Sequence, residues 1–406
     1  MIEPKLRFKA DDGSQFPDWE RKKIVNVSDR VKVGFVGTCE CYYTDESGIR
    51  LYRTGNLQKG RLVEDDMKYV LKKFHEANKK SQLHKWDILI ARHGNSGNAV
   101  LYDSDEEANC LNIVIIRPDL KVVNPKFMVE NINSASVEKQ VCRLKNGSTQ
   151  VVLNTKAIED LDVGIPCLPE QQKIAEFLST IDTVIAKQKE TVSAWEERKK
   201  GVMQKLFSQE VRFKADDGSD FPEWEEKHFS EIFEKTTNKN TCYGTDKIIS
   251  VANMYYKEDA SVSNEDYLKT YNIMLYGDIA FEGHVNKEHS HGRFVLNDIG
   301  NGIVSHIFDV FHPKNLSLYS VGFWKEYIRH EPIMGRVLVR CTKSSTMMRN
   351  LVAKEFLQEL VPVPCIAEQQ KIADCLSSLD EVIEKQKATL AAWEELKKGL
   401  LQQMFV

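Results

Sequence analysis

Two stretches of the chain place apolar or seam-like residues at intervals of 4, 3, 4, 3, 4, 3 and 3. In residues 169–207 the series runs Ile174, Leu178, Ile181, Ile185, Gln188, Val192, Trp195 and Arg198. In residues 367–405 it repeats as Ile372, Leu376, Leu379, Ile383, Gln386, Leu390, Trp393 and Leu396, with Lys and Glu on the outer positions. This spacing predicts two long helices that pair along a coiled-coil seam. The seam is carried by Ile174, Leu178, Ile181, Ile185 and Trp195 in the first, and by Ile372, Leu376, Leu379, Ile383 and Trp393 in the second. Pro166, Pro169, Pro362 and Pro364 precede or open the helices, where a fixed φ and a missing N–H are tolerated. A helix of about 38 residues is a rod of roughly 57 Å. An antiparallel pair of this length would serve as a ruler.

Elsewhere the apolar residues cluster in short runs bounded by turn residues. Residues 48–56, 85–97 and 112–118, rich in Ile, Val and Tyr, read as strands of a mixed α/β domain. Residues 248–254, 276–286 and 307–313 repeat that order, which predicts a second domain of the same fold.

The chain is a duplication. RFKADDGSQFPDWE (residues 7–20) returns as RFKADDGSDFPEWE (212–225), identical at 12 of 14 positions. The segments 169–207 and 367–405 share 24 of 39 residues. Between these frames lie two inserts, about 20–168 and 225–366, without sustained identity. A constant frame around divergent inserts separates assembly from recognition. Domain bounds follow: 1–165 and 208–362 as recognition domains, 166–207 and 363–406 as spacer helices. The fold class is α+β, with two mixed α/β domains separated by two long antiparallel coiled-coil helices in a pseudo-two-fold cyclic duplication. The first helix continues into QKLFSQEVRFKADDG, whereas the second ends QQMFV and the chain begins MIEPKLRFKADDG. If the halves are equivalent, Val406 is expected near Met1.

Composition limits the functional classes. With 406 residues, 42% apolar and 29% charged, the chain suits a two-domain globular protein. It has no apolar run long enough to span a bilayer and no secretory signal, so a cytoplasmic location is expected. Nine scattered cysteines at irregular spacing read as reduced thiols rather than a disulfide framework. Cys39 and Cys41, and likewise His289 and His291, lack a partner pair at a zinc-like spacing, so no metal is expected. A net charge of −4 argues against nonspecific coating of nucleic acid and leaves room for local basic patches.

Such patches occur at matching places: Lys139, Arg143 and Lys145 in the first insert, and Arg336, Arg340, Lys343 and Arg349 in the second. Each insert closes with a small polar segment, which brings Lys145, Ser148, Thr149 and Gln150, and Lys343, Ser344, Ser345, Thr346 and Arg349, forward as DNA-contact candidates. A WD- or GD-led strand in each insert runs into a polar loop, Arg92, His93 and Asn95 in the first and His284 and Asn286 in the second. Arg suits guanine and Asn or Gln adenine through paired donors and acceptors. Arg53, Thr54 and Asn56, and Asn253 and Arg293, complete the candidates. The sequence contains no phosphate-binding loop, no glycine-rich dinucleotide turn and no [DNS]PP[YFW] methyltransferase tetrapeptide. No catalytic residue is assigned, and chemistry is expected in partner subunits.

IPCLPEQQKIAEFLSTID and VPCIAEQQKIADCLSSLD, together with the repeated RFKADDGSxFPxWE, resemble the frame of type I restriction-modification specificity subunits over essentially the whole chain. Ala367, where the first copy has Pro169, is the one visible departure. The resemblance implies a non-catalytic subunit in which each variable domain reads one half of an asymmetric bipartite site on double-stranded DNA and the helices set the unread spacer. It further implies two methyltransferase subunits that use S-adenosylmethionine to methylate adenine N6, and two restriction subunits that use ATP and magnesium. No cofactor is expected in this chain. A methylation-only or other phage-defence complex, a coiled-coil scaffold whose inserts bind proteins, and a methyltransferase proper are the competing readings.

Overall fold

The computed structural model describes residues 4–58, 60–92, 97–145, 153–258, 265–286, 289–344 and 348–405. The chain folds as two compact units, Met1–Lys189 with Ala388–Val406, and Glu190–Lys387. The long helices, Leu168–Phe207 and Ile366–Met404, each give one half to each unit. Each unit thus holds the first half of one long helix and the second half of the other.

Within either unit the helix halves run antiparallel, as paired charges show. In the first unit Lys189 meets Glu394 at 2.7 Å and Lys397 meets Asp182 at 2.7 Å; in the second, Lys387 meets Glu196 at 3.0 Å and Lys199 meets Asp380 at 2.8 Å. Each pair is the image of its counterpart under the sequence repeat. Lys397 and Lys199 also reach Glu130 and Glu326 of their recognition domains, at 3.0 and 3.1 Å, so one ammonium ties domain to helix twice over. Burial works to lower the pKa of Lys397, but Glu130 and Asp182 outweigh it and the net direction is up.

Ile174, Leu178, Ile181, Ile185, Ile372, Leu376 and Ile383 are buried as the heptad stripe requires, while Trp195, Leu379 and Trp393 are half-buried. Arg198 and Leu396 turn to solvent. An α-helix drifts against a strict 3.5-residue repeat, and beyond Trp195 and Trp393 the buried face passes to Leu206 and Phe207, and to Met404 and Phe405, which join the domain cores.

The repeated tails clamp the helix starts. Arg7 grips Glu170 through Nε (3.0 Å) and Nη2 (2.8 Å), and Arg212 grips Glu368 likewise at 3.1 and 2.9 Å. Gln171 donates to the carbonyls of Pro166 and Val122, and Gln369 to those of Pro364 and Leu318. Lys173 and Lys371 pair with Asp11 and Asp216 of the tails. The EQQK motif is therefore a structural lock. Met1 and Val406 lie outside the described residues. Their neighbours follow the predicted cyclic pattern, since Leu6 N donates to Gln403 O at 3.0 Å in the first unit where Val211 N donates to Lys205 O at 3.3 Å in the second.

Each recognition domain is built on one antiparallel sheet. In the first, β1 (Ser28–Val33), β2 (Ile88–Ala91), β3 (Ala99–Leu101) and β4 (Ile113–Pro118) lie in the order β1-β4-β2-β3. In the second, β5 (Phe233–Thr236), β6 (Ile279–Glu282), β7 (Arg293–Leu296) and β8 (Val310–Pro313) lie in the order β5-β8-β6-β7. The outer layers differ. The first domain adds a four-stranded sheet containing Ile49–Arg53 and Lys68–Val70, whereas the second adds, among the described residues, two-stranded pairs such as Ile249–Ser250 with Tyr255–Tyr256 and Asn272–Met274 with Gly302–Val304. The inserts thus share an inner sheet and diverge around it.

Candidate nucleic-acid interface

The polar loops are aimed by the turn that leads into β2 and β6. Trp86 and Gly277, both at positive φ, precede the buried carboxylates Asp87 and Asp278. Asp87 accepts from His84 N at 2.8 Å and is gripped by Arg117 on β4 through Nε and Nη2 at 2.8 and 2.9 Å. Asp278 accepts from Leu275 N at 2.7 Å and faces His312 on β8 at 2.6 Å. Burial raises the pKa of Asp278, against the pull of the Leu275 amide and His312. An aspartate that closes the turn and bonds the neighbouring strand fixes where the strand begins, and hence where its far end delivers the loop.

At the far end of β2, Arg92 donates through Nε to Leu153 O at 3.2 Å and Leu153 N returns a bond to Arg92 O at 3.3 Å. Gly97, at φ +95°, closes the loop against Val141 of the helix Ala135–Lys145. Gly97 therefore lies beside the basic helix carrying the exposed Lys139 and Arg143. The turn at 53–56 belongs to the same layer, since Tyr52 and Leu57 pack with Ala91 and Val100.

Asn56 is corrected from reader to support. Its side chain is buried, accepts from Arg53 N at 3.0 Å and donates to Val63 O and Asp65 O at 3.1 Å each, leaving nothing to offer a base. Arg53 pairs with Asp66 at 2.9 Å, and Lys68 and Arg53 together hold that carboxyl down at about 2. Thr54 is half-buried beside it. His93, Asn95, Ser148, Thr149 and Gln150 lie outside the described residues, as do Ser345 and Thr346; Lys145 ends its helix.

In the second unit the candidates from three distant segments meet. His284 pairs as an isolated bridge with Met348, and Arg349 N donates to Gly283 O at 2.7 Å. A Cβ on Gly283 would stand 2.1 Å from Arg349 O, so this approach of two backbones requires glycine. Arg349 donates through Nη1 to Ser344 Oγ at 2.7 Å, and the hairpin of Thr342–Ser344 and Arg349–Leu351 presents the exposed Lys343 and Ser344. Asn253 stands exposed on a turn in which Met254 N bonds Ser250 O at 2.8 Å and Met254 takes φ +47°. His284 and Asn286 are exposed on their loop.

Arg293 is not free to read a base. It donates through Nε to Glu282 Oε2 at 2.7 Å and through Nη2 to Ala252 O at 2.6 Å. Arg340 is also committed, in a fork on Glu359, whereas Arg336 is exposed. Sequence reasoning missed Tyr255, which is half exposed next to Asn253; the YY pair after the turn was its only signal. Among the described residues no group of three or more His, Cys, Asp or Glu side chains could hold a metal ion, and no helix is long and apolar enough to cross a membrane.

Two units with a common inner sheet, each carrying polar loops at one strand end and locked onto a shared pair of helices, define a duplicated recognition protein. The family model "Type I restriction modification DNA specificity domain" matches residues 18–193 and again 222–392, and the chain belongs to that family, with two such domains. Membership gives it a DNA-specificity role that is itself non-catalytic. The putative type I restriction enzyme MjaX specificity subunit of Methanocaldococcus jannaschii is 21% identical over 97% of this chain and 94% of its own length. The MjaVIII specificity subunit of the same organism is 25% identical over 61% of this chain and 62% of its own. Among solved structures, a type I restriction-modification S subunit from M. genitalium superposes with a TM-score of 0.55 at 16% identity, covering 100% of this chain and 99% of that one. A structure described for complex assembly and conformational transition of the type I R-M system gives 0.57 at 14%, covering 96% and 97%. These last two likenesses bear on the fold.

Proposed function

We propose that each unit reads one half of an asymmetric bipartite site on double-stranded DNA, and that the long helices hold the two readers at the spacing of that site. The observation that carries this reading is the repeated inner sheet with unlike loops. Arg92 and the exposed basic helix serve the first half-site; Asn253, His284, Asn286 and the Lys343–Arg349 hairpin serve the second. Phosphate contacts from Lys139, Arg143, Arg336 and Lys343 supply affinity, and the loops supply sequence.

Two methyltransferase subunits, carrying S-adenosylmethionine, dock on the repeated frame and methylate an adenine N6 in each half. Two restriction subunits, with ATP and magnesium, complete the nuclease, and the assembly works in the cytoplasm. This chain holds no cofactor of its own. A paired docking mode is supported by exposed apolar residues at equivalent places, Leu168 and Leu120 in one unit and Ile366 and Leu316 in the other, 36–62% exposed. Equivalence follows from Gln171 and Gln369, which accept from the amides of Asn124 and Ser320 four residues on from each leucine. Exposed apolar groups repeated on both units suit two copies of one partner.

The test is single-molecule sequencing of adenine methylation in cells that carry a partner methyltransferase, with and without this chain. A bipartite methylated motif that appears only with the chain is the expected result. An active methyltransferase with no chain-dependent motif refutes the reading and favours a protein-binding scaffold.

A further inference from the structure

The second unit contains an ion pair with no equivalent in the first, and it sits where three candidate DNA-facing segments converge. Glu282 ends β6 and Arg293 begins β7, directly opposite each other in the ladder. The corresponding positions of the first unit are Ala91 and Asn98, joined only by their backbones at 3.1 Å. Glu282 is buried, 8% exposed. Its Oε2 accepts from Arg293 Nε at 2.7 Å, its Oε1 faces His284 Nδ1 at 3.6 Å, and Arg293 Nη2 reaches across to Ala252 O at 2.6 Å.

One guanidinium therefore joins the last residue before the His284 loop to the carbonyl preceding Asn253. The same loop is bonded one residue later, at Gly283 O, to Arg349 of the hairpin. The turn 251–254 buries Val251 and Met254 and exposes Asn253, which reads a base only while the turn is held in one conformation. The planar fork of Arg places Nε on Glu282 and Nη2 on Ala252 O in one fixed plane, an orientation that the point charge of Lys on its flexible stem does not reproduce. In the first unit the analogous turn is held by other means, the buried amide of Asn56.

We propose that Glu282 and Arg293 are positioning residues for the second half-site, aiming the Asn253 turn and the His284 loop without touching bases themselves. The proposal rests on the reading of this unit as a DNA reader. The brace makes the two half-sites separable by mutation inside the protein: loss of Arg293 or Glu282 blurs one half, and loss of Asn56 blurs the other.

The experiment uses the full chain purified with its methyltransferase partner and DNA duplexes carrying single-base changes in either half of the wild-type motif. Rates of methyl transfer from S-adenosylmethionine give a discrimination ratio for each half. Arg293→Lys and Glu282→Gln are expected to lower the ratio at the second half by about tenfold, the scale of one poorly read base pair, with the ratio at the first half unchanged. Asn56→Ala is expected to give the mirror result. Unchanged ratios in both brace variants, or equal losses in both halves, overturn the proposal, and should Arg293→Lys fold poorly, Glu282→Gln decides alone. A wild-type complex that methylates without sequence preference defeats the underlying DNA reading, and the brace falls with it.

Discussion

The clamp at the helix starts offers a comparison inside one molecule. Glu170 has a fully buried side chain, and Arg7, itself 10% exposed, supplies both bonds of its fork. Truncation by Arg7→Ala leaves a carboxylate without water or counter-charge, which costs about 3–5 kcal/mol when one member of a buried pair is removed. The second clamp is built differently. Trp224 Nε1 also donates to Glu368 Oε2, at 3.0 Å, whereas the buried Trp19 Nε1 has no hydrogen-bond partner among the described residues. A bond to a charged group contributes about 1.5–3 kcal/mol, so Arg212→Ala should cost only about 1–3 kcal/mol. Replacing both members, Arg7→Met with Glu170→Met, should recover most of the loss, because it removes the stranded charge along with the bond. Native-state hydrogen exchange over 168–178 and 366–376 reads the opening free energy at each clamp separately, which a whole-chain melt of a two-unit protein does not. Equal costs for Arg7→Ala and Arg212→Ala, or a double Met variant no better than Arg7→Ala alone, would refute the reasoning.

Two further outcomes follow from the second unit. His330 is buried against the ring of Phe207, at 4.9 Å, and burial lowers its pKa from 6.5; the unfolded chain then binds the extra proton more readily, so the stability this group permits is present above pH 6.5 and is lost as pH falls toward the depressed value. His330→Gln should flatten the acid side of a stability-against-pH curve for this unit, and an unchanged curve would show that other groups set it. Phe356 is fully buried between Phe229 and Phe294, each at 4.4 Å, with Phe311 at 5.0 Å. Phe356→Ala should cost about 3–5 kcal/mol and Phe356→Leu markedly less in urea unfolding, since the cavity left is the larger part of the difference.

The frame of the protein was legible because it is written twice and with a strong period. The stripe from Ile174 to Ile185 and its copy predicted the long helices, and the prolines marked their starts. The role of EQQK was less visible, because a buried glutamate looks like any acidic helix residue until Arg7 or Arg212 is brought to it from more than 150 residues away. Strands β1 and β5 escaped the strand reading for a physical reason: SDRVKV and FEKT bury only Val31 and Phe233 and expose charged side chains between, so they lack the apolar runs that marked β2 and β6. In the interface, residue type named the right loops but not the individual roles. Asn56 and Arg293 carry donors suited to DNA, yet neighbouring groups of the protein take those donors, the carbonyls of Val63 and Asp65 for Asn56 and the Glu282 carboxylate and Ala252 carbonyl for Arg293, a distinction that depends on folded distance and not on composition.

The central claim is that the two units read DNA independently, and exchange of residues 20–168 for the corresponding insert of another family member tests it most directly. Mapping adenine methylation before and after the exchange should show one half of the bipartite motif replaced, with the other half and the spacer between them unchanged. A motif altered in both halves, or a new spacer length with the helices untouched, would contradict the account.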